Sequence, residues 1–350
     1  MKKLKANALA LLAGTVLSTS ALLPTQAFAE AEYTFKLHHM LPPMSNAQAN
    51  FLKPWAETIE KQSDGRIDIE LYPAMQLGGK PPQLFDQARK GIADITWTVG
   101  GYTPGRFPKA TAFELPFVPL SARITSMALQ EYAETEMQDE LKDVHVLALH
   151  THFPGSFHSR EKDIKTMEDL DGLKVRAPNK MMAGALGILG ANTVFMPVPS
   201  MPSALSKGVI DVTALPFEVV KPLKIHELAP HHTEFKGDRG FYTQFFIFSM
   251  NKKAYNSLPD DLKKVIDQNS GVPLAGFIGD AFDAYEIGAR KDAVDRGNTF
   301  STIEGAEYDR WKETLAPVTE KWIEDMNDDG YDAERLLEKA KTLIKKYENF

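Results

Sequence analysis

The sequence predicts an α/β protein built as two lobes of related design. Three observations predict it. Strands and helices alternate from residue 33 to residue 99. The same alternation recurs from 173 to 215. A strongly apolar strand, FYTQFFIFSMN at 241–251, follows the second block. Such alternation implies a largely parallel sheet with helices packed on it.

The elements follow in order. Residues 33–39 alternate apolar and polar side chains and read as the first strand. Ser45 caps a helix carrying Ala49, Leu52, Trp55, Ala56 and Ile59 on one face. Asp64-Gly65 turns the chain into a strand at 66–72. A helix over 82–90 stops at Gly91, and 92–99 forms the next strand. The second block repeats this with a strand at 173–177, a helix at 180–189, a short strand at 193–196, a helix at 200–207 and a strand at 209–215. QARKGIADI at 87–95 and ALSKGVIDV at 204–212 share one design. Each closes a helix with Lys-Gly, the glycine taking the left-handed C-cap, and opens a strand around an Asp. Between the blocks lies a strand at 144–150, followed by a crossover at THFPGSFHSR. The strand at 241–251 returns the chain to the first lobe. A long helical region spans 260–296 with Pro273 as its break. Helices at 310–325 and 332–347 close the chain. The implied division is 30–151 plus 242–281 in one lobe, and 152–241 plus 282–350 in the other.

The chain has 350 residues, 43% hydrophobic and 25% charged, which fits a globular protein of two ordinary domains. A net charge of −7 argues against general binding to nucleic acid. With no cysteine there is no disulfide, thiolate nucleophile or Cys-ligated metal. Lys2, Lys3 and Lys5 precede an apolar run from Ala8 to Leu23, and Ala27-Phe28-Ala29 forms a cleavage site. Residues 1–29 therefore read as a signal peptide cut after Ala29. Removing three lysines and no acid takes the net charge to −10. No later stretch is apolar enough to span a bilayer. The expected location is a bacterial periplasm, with the protein not itself membrane-inserted.

Several catalytic patterns fail on inspection. HELAPH at 226–231 has Pro230 where a zinc-protease helix needs its second histidine. SREK at 159–162 lacks the companions of a serine-lysine site. Gly78-Gly79 and Gly100-Gly101 form no nucleotide-binding loop. DMNDDG at 325–330 opens like a calcium loop, but Leu336 stands where a bidentate glutamate is required. A polar turn, with Asp332 capping the next helix, fits better. His38, His39, His150 and His152 could meet at a metal only through tertiary folding. No catalytic residue, metal or cofactor is expected.

One charge is well placed. GLKVRAPN at 172–179 sets Arg176 at a strand end, fixed by Pro178, where ligands of open α/β sheets bind. A guanidinium there offers two parallel donors to a carboxylate, and Asn179 can donate and accept beside it. Trp97, Tyr102, Phe153, Phe157, Phe217, Tyr242 and Phe245 are candidate aromatic walls, with ordinary core packing the alternative for each. Glu218 is either a cleft residue or a solvated helix residue.

The segments HHMLPPMSNA, DGRIDIELYPAMQLGG, KGIADI, FELPFV, TMEDLDGLKVRAPN, GALGILGANTVFMPVP, KGVIDV and SLPDDLKKVI together resemble the solute-binding proteins of TRAP transporters, the DctP-like family. The resemblance covers nearly the whole mature chain. It implies two lobes joined by crossing strands and a long helix, closing on a small organic acid that is then delivered to membrane permease subunits. It carries the family's carboxylate-binding arginine onto Arg176 and the nearby asparagine onto Asn179. Two positions depart from the sialic-acid-type pattern. Pro154 falls near the place of a second arginine, and Leu215-Pro216 replaces an Asn-Pro. Both changes remove polar contacts. The expected ligand is a smaller or more apolar monocarboxylate, such as an aromatic one, or a zwitterion whose ammonium meets Glu218 and the rings. The predicted ligand-binding set is Arg176, Asn179, Trp97, Phe153, Phe217, Glu218, Tyr242 and Phe245. The rival functions are a ligand sensor for a membrane receptor and a periplasmic hydrolase.

Overall fold

The computed structural model describes residues 31–349, so the expected signal peptide lies outside the described residues. Two mixed sheets organise the chain. The first takes β1 (Tyr33–His39), β2 (Ile67–Tyr72), β3 (Ile95–Val99), β4 (Val144–Thr151) and β10 (Phe245–Asn251), in the order β2-β1-β3-β10-β4. The second takes β5 (Ser156–Ser159), β6 (Lys174–Ala177), β7 (Asn192–Phe195), β8 (Val212–Leu215), β9 (His231–Lys236) and β11 (Thr299–Glu304), in the order β11-β9-β5-β8-β6-β7.

Within each sheet the repeated strand-helix units pair in parallel: β1 with β2 and β3, and β6 with β7 and β8. The antiparallel strands are those the chain uses to change sheets. β10 runs against β3 and β4, and β5 runs against β8 and β9. Each crossing strand thus enters its new sheet from the opposite end.

Local sequence explains most elements. Gly91 (φ 72°) and Gly208 (φ 66°) take the left-handed stop positions expected of the two Lys-Gly ends. The long helical region breaks before Pro273, into Asp260–Gln268 and Gly271–Asp295. The proline then sits in a first turn, where its missing N–H costs nothing. The helix after Ser45 starts with a π-type segment, Ala47–Leu52, that shifts the buried face. Ala47 and Phe51 pack inward, while Ala49, expected inside, is exposed.

The helix Gly271–Asp295 packs along the helix Ala122–Glu136 and β4, and its other part lies on Phe217–Val220 of the second half. The closing helix Ala333–Glu348 also reaches back onto Ala122–Glu136. Arg335 pairs with Glu136 at 2.9 Å, and Lys346 with Glu131 at 2.5 Å. The apolar face of the closing helix (Leu336, Leu337, Leu343) packs toward Ala122–Glu136.

Candidate functional site

β6 runs straight into Pro178-Asn179, and its penultimate residue, Arg176, is 0% exposed. Nε donates to the Met196 carbonyl at 3.1 Å and Nη1 to the Ala214 carbonyl at 3.0 Å. Nη2 is buried without a partner. Two backbone bonds fix the guanidinium plane and leave one arm for an anion, the group best able to offset a buried positive charge.

Arg176 lines a small cavity between the two sheets. The carboxyl ends of the parallel strands supply much of its wall: Met40 and Leu41 after β1, Val99 of β3, Leu215 of β8, and Pro216 and Glu218 after it. This is where open α/β sheets place ligands. The crossing segments supply His152, Tyr242, Gln244 and Phe246, so both sheets and both crossings meet here.

Four of the predicted residues besides Arg176 need separate placement from three that do line this cavity. Trp97 lines it, with Nε1 donating to His150 Nε2 at 2.7 Å and its ring stacked on Phe246 at 4.8 Å. Tyr242 lines it with its hydroxyl buried and unpartnered; burial raises the phenol pKa. Glu218 lines it from the first turn of Phe217–Val220, buried, with Oε2 unpartnered. Burial and the adjacent Glu286 carboxyl push its pKa well above the usual carboxylate range. The solvated alternative for Glu218 therefore does not hold. Glu286 lies behind it, accepting from the N–H groups of Phe217 and Glu218 at 2.8 Å each, and burial pushes it up to about 8.

The other four lie elsewhere. Asn179 caps the helix Lys180–Ile188, its Oδ1 accepting from Met182 N–H at 2.8 Å, while Nδ2 donates to Glu114 at 2.9 Å. Asn179 and Phe245 line a separate, wider cavity of about 1590 Å³. Phe245 is held there by Gly100, where a Cβ would meet its ring at 1.9 Å. Phe217 packs in the second core against His158, His232 and Phe300. Phe153 is half-buried and lines neither cavity; its carbonyl accepts from His152 Nδ1 at 2.5 Å.

The wider cavity is the larger, but its buried polar groups satisfy one another, as Asn179 and Glu114 do. The smaller one gathers three buried polar atoms without partners: Arg176 Nη2, Tyr242 Oη and Glu218 Oε2. Such atoms in one cavity mark a ligand site.

Sequence reasoning missed His152, Gln244 and Phe246. His152 Nε2 accepts from Gln244 N–H at 3.1 Å, which leaves the proton on Nδ1. Burial pushes its pKa down to about 4, with the Arg176 charge adding to the effect. The ring thus pins one crossing to the other as a neutral group. Tyr102, weighed only as a wall, also accepts from Val198 N–H at 2.9 Å, tying the two halves together. Among the described residues no group of three or more His, Asp and Glu side chains could hold a metal ion. No described helix is long and apolar enough to cross a membrane.

Residues 38–325 match the family model DctP, bacterial extracellular solute-binding protein, family 7. A marine metagenome TRAP solute-binding protein, described as specific for aromatic acid ligands and solved with 3-hydroxybenzoate, is 49% identical. The match covers 91% of this chain and 99% of that one, with a TM-score of 0.89. A TRAP solute-binding protein from Rhodoferax ferrireducens T118, solved with copurified benzoate, is 47% identical over 90% of this chain and 98% of its own, also at 0.89. TsaT of Comamonas testosteroni, named an outer membrane transporter protein, is 27% identical over 87% of this chain and 90% of its own. A family match over most of the length, and full-length likeness to solved proteins of the same two-sheet build, agree with a cleft made for an organic anion: the chain belongs to the family 7 extracellular solute-binding proteins and is a TRAP-transporter solute-binding protein.

Proposed function

We propose that the cleft captures an aromatic monocarboxylate, which the protein delivers to TRAP permease subunits in the membrane. The observation that carries this reading is Arg176: fully buried, its plane fixed by two carbonyls, one arm unpartnered, in a cavity walled by Trp97, Tyr102, Tyr242 and Phe246. The guanidinium pairs with the carboxylate and the rings hold an aryl group. Burial and the Glu286 carboxyl raise the Glu218 pKa, which disfavours a charged carboxylate there and so favours an acid over a zwitterion. The solved relatives at 49% and 47% identity carry 3-hydroxybenzoate and benzoate.

The lobes divide at the crossings, and the ligand joins them in the closed form because it contacts residues of both sheets. Binding without turnover is the activity. The leader at residues 1–29 places the mature protein in the periplasm, starting at Glu30; an exported protein whose N-terminal sequence still began at Met1 would refute this. Calorimetry with benzoate tests the site. Arg176→Ala is expected to weaken binding by about 2–5 kcal/mol, as when one partner of a buried charge pair is removed. Undiminished affinity in a folded variant overturns the assignment.

A further inference from the structure

The cleft has a second polar pole that carboxylate binding does not use. Glu218 follows the end of β8, five residues beyond Thr213, the strand partner of Arg176. It is buried, it lines the cavity, and its Oε2 has no partner. The Arg176 charge acts on Tyr102, His152 and Tyr242. Glu218 instead answers to Glu286 behind it, whose two oxygens are occupied by the N–H groups of Phe217 and Glu218.

A neutral carboxylic acid both donates and accepts, and so does an aryl hydroxyl. A bare ring leaves such a group unpaired. Sites that hold a buried polar group ready for a ligand hydroxyl discriminate strongly against ligands that lack it.

We infer that Glu218 is the specificity-determining residue of the cleft, selecting aromatic monocarboxylates with a ring hydroxyl over bare rings by exchanging a hydrogen bond with that hydroxyl while Arg176 holds the carboxylate. This rests on the aromatic-acid reading above. It adds to that reading a reason for a preference within the class, and it places the preference on one side chain.

The test is calorimetry of benzoate and of 2-, 3- and 4-hydroxybenzoate against the full mature protein, Glu218→Gln and Glu218→Leu, with thermal unfolding to confirm that each variant is folded. In the unaltered protein one hydroxybenzoate isomer binds about tenfold or more tighter than benzoate, the yield of one well-placed hydrogen bond. Glu218→Gln, which still donates and accepts, keeps most of that preference. Glu218→Leu brings the ratio to within about twofold. A preference that survives Glu218→Leu overturns the inference. So does an unaltered protein that favours no isomer over benzoate, a result that needs no variant to fold. If none of the four acids binds, the aromatic-acid reading itself falls. Benzoate binding without isomer preference sinks only the role of Glu218.

Discussion

Asn179 allows a sharp separation of folding from closure. Its Oδ1 caps the helix Lys180–Ile188 through Met182 N–H, a contact within one half of the molecule. Its Nδ2 donates to Glu114 at 2.9 Å, joining the segment after β6 to the segment Lys109–Glu114 that packs against the first sheet. Glu114 also accepts from Phe245 N–H at 3.3 Å, and burial pushes its pKa up to about 8. On the proposed opening of the lobes, the first bond would be kept and the second lost. Asn179→Ala loses both. The cap is worth about 1 kcal/mol, and the bond to Glu114 about 1–1.5 kcal/mol. Asn179→Ser keeps an oxygen for the cap but is too short to reach Glu114. In urea denaturation of ligand-free protein, Asn179→Ala is expected to lose about 1 kcal/mol or more, and Asn179→Ser only a few tenths. In calorimetry both are expected to bind every ligand about five- to tenfold more weakly, because the loss falls on closure and not on any ligand atom. A loss confined to some ligands would put Asn179 in direct contact after all. Unchanged affinity in Asn179→Ser would refute the clasp.

Two further outcomes follow from the same buried groups. Glu114 and Glu286 have folded pKa values of about 8, so the native state holds protons that the unfolded chain releases near pH 4.5. His39, His152 and His232 are pushed down to about 4 and His150 to about 3, so there the unfolded chain binds protons first, below about pH 6.5. The carboxylates lower stability as pH rises from 4.5 to 8, and the histidines lower it as pH falls from 6.5. Between 4.5 and 6.5 they oppose each other; above 6.5 only the carboxylates act. Urea denaturation should show stability falling from pH 6.5 to 8, by at most about 1.4 kcal/mol per pH unit for each carboxyl, and equal or greater stability at pH 8 would contradict it. Gly155 supports the Tyr242 ring, which a Cβ would meet at 2.2 Å. Gly155→Ala should cost about 1–3 kcal/mol of stability and weaken benzoate binding as the ring shifts; unchanged binding would remove Tyr242 from the site.

What was legible in the sequence was whatever a local rule controls. The strand-helix units, the Lys-Gly stops and the strand end that holds Arg176 follow from periodicity, glycine and proline. The strands β5 (SFHS), β9 (HHTEFK) and β11 (TFSTIE) gave no such signal, because polar residues fill them. Several of their buried side chains meet distant partners: His158 Nδ1 lies 2.7 Å from His232 Nδ1, and Thr233 donates to the Ile164 carbonyl at 2.7 Å. The helix Ala122–Glu136 was hidden for the same reason. Gln130 accepts from Leu149 N–H at 2.6 Å and Ser126 from Thr151 N–H at 2.9 Å, so its buried face is partly polar. In the site, aromatic residues near strand ends could not be sorted by sequence into wall and core. Trp97 and Tyr242 face the cavity; Phe217 and Phe245 do not. Only the register across the two crossings decides.

On the proposed reading, the same geometry makes closure and ligand capture one event. Closing the lobes without an anion leaves Arg176 Nη2, Tyr242 Oη and Glu218 Oε2 buried and unpaired, at roughly 1–3 kcal/mol each. The bonds made on closing, Asn179 to Glu114 and Val198 N–H to Tyr102, return only about 1 kcal/mol each. Apolar contact across the cleft adds to closure, but it is available with or without a ligand. The unpaired groups therefore set the difference between the two cases. A carboxylate on Arg176 converts the most expensive of them into a charge-assisted pair, and a hydroxyl at Glu218 satisfies another. A ligand that meets only the Arg176 end closes the lobes less completely than one that meets both. The fraction of closed protein at saturation, read by small-angle scattering, should then rise from benzoate to the preferred hydroxybenzoate, and equal fractions would separate specificity from closure.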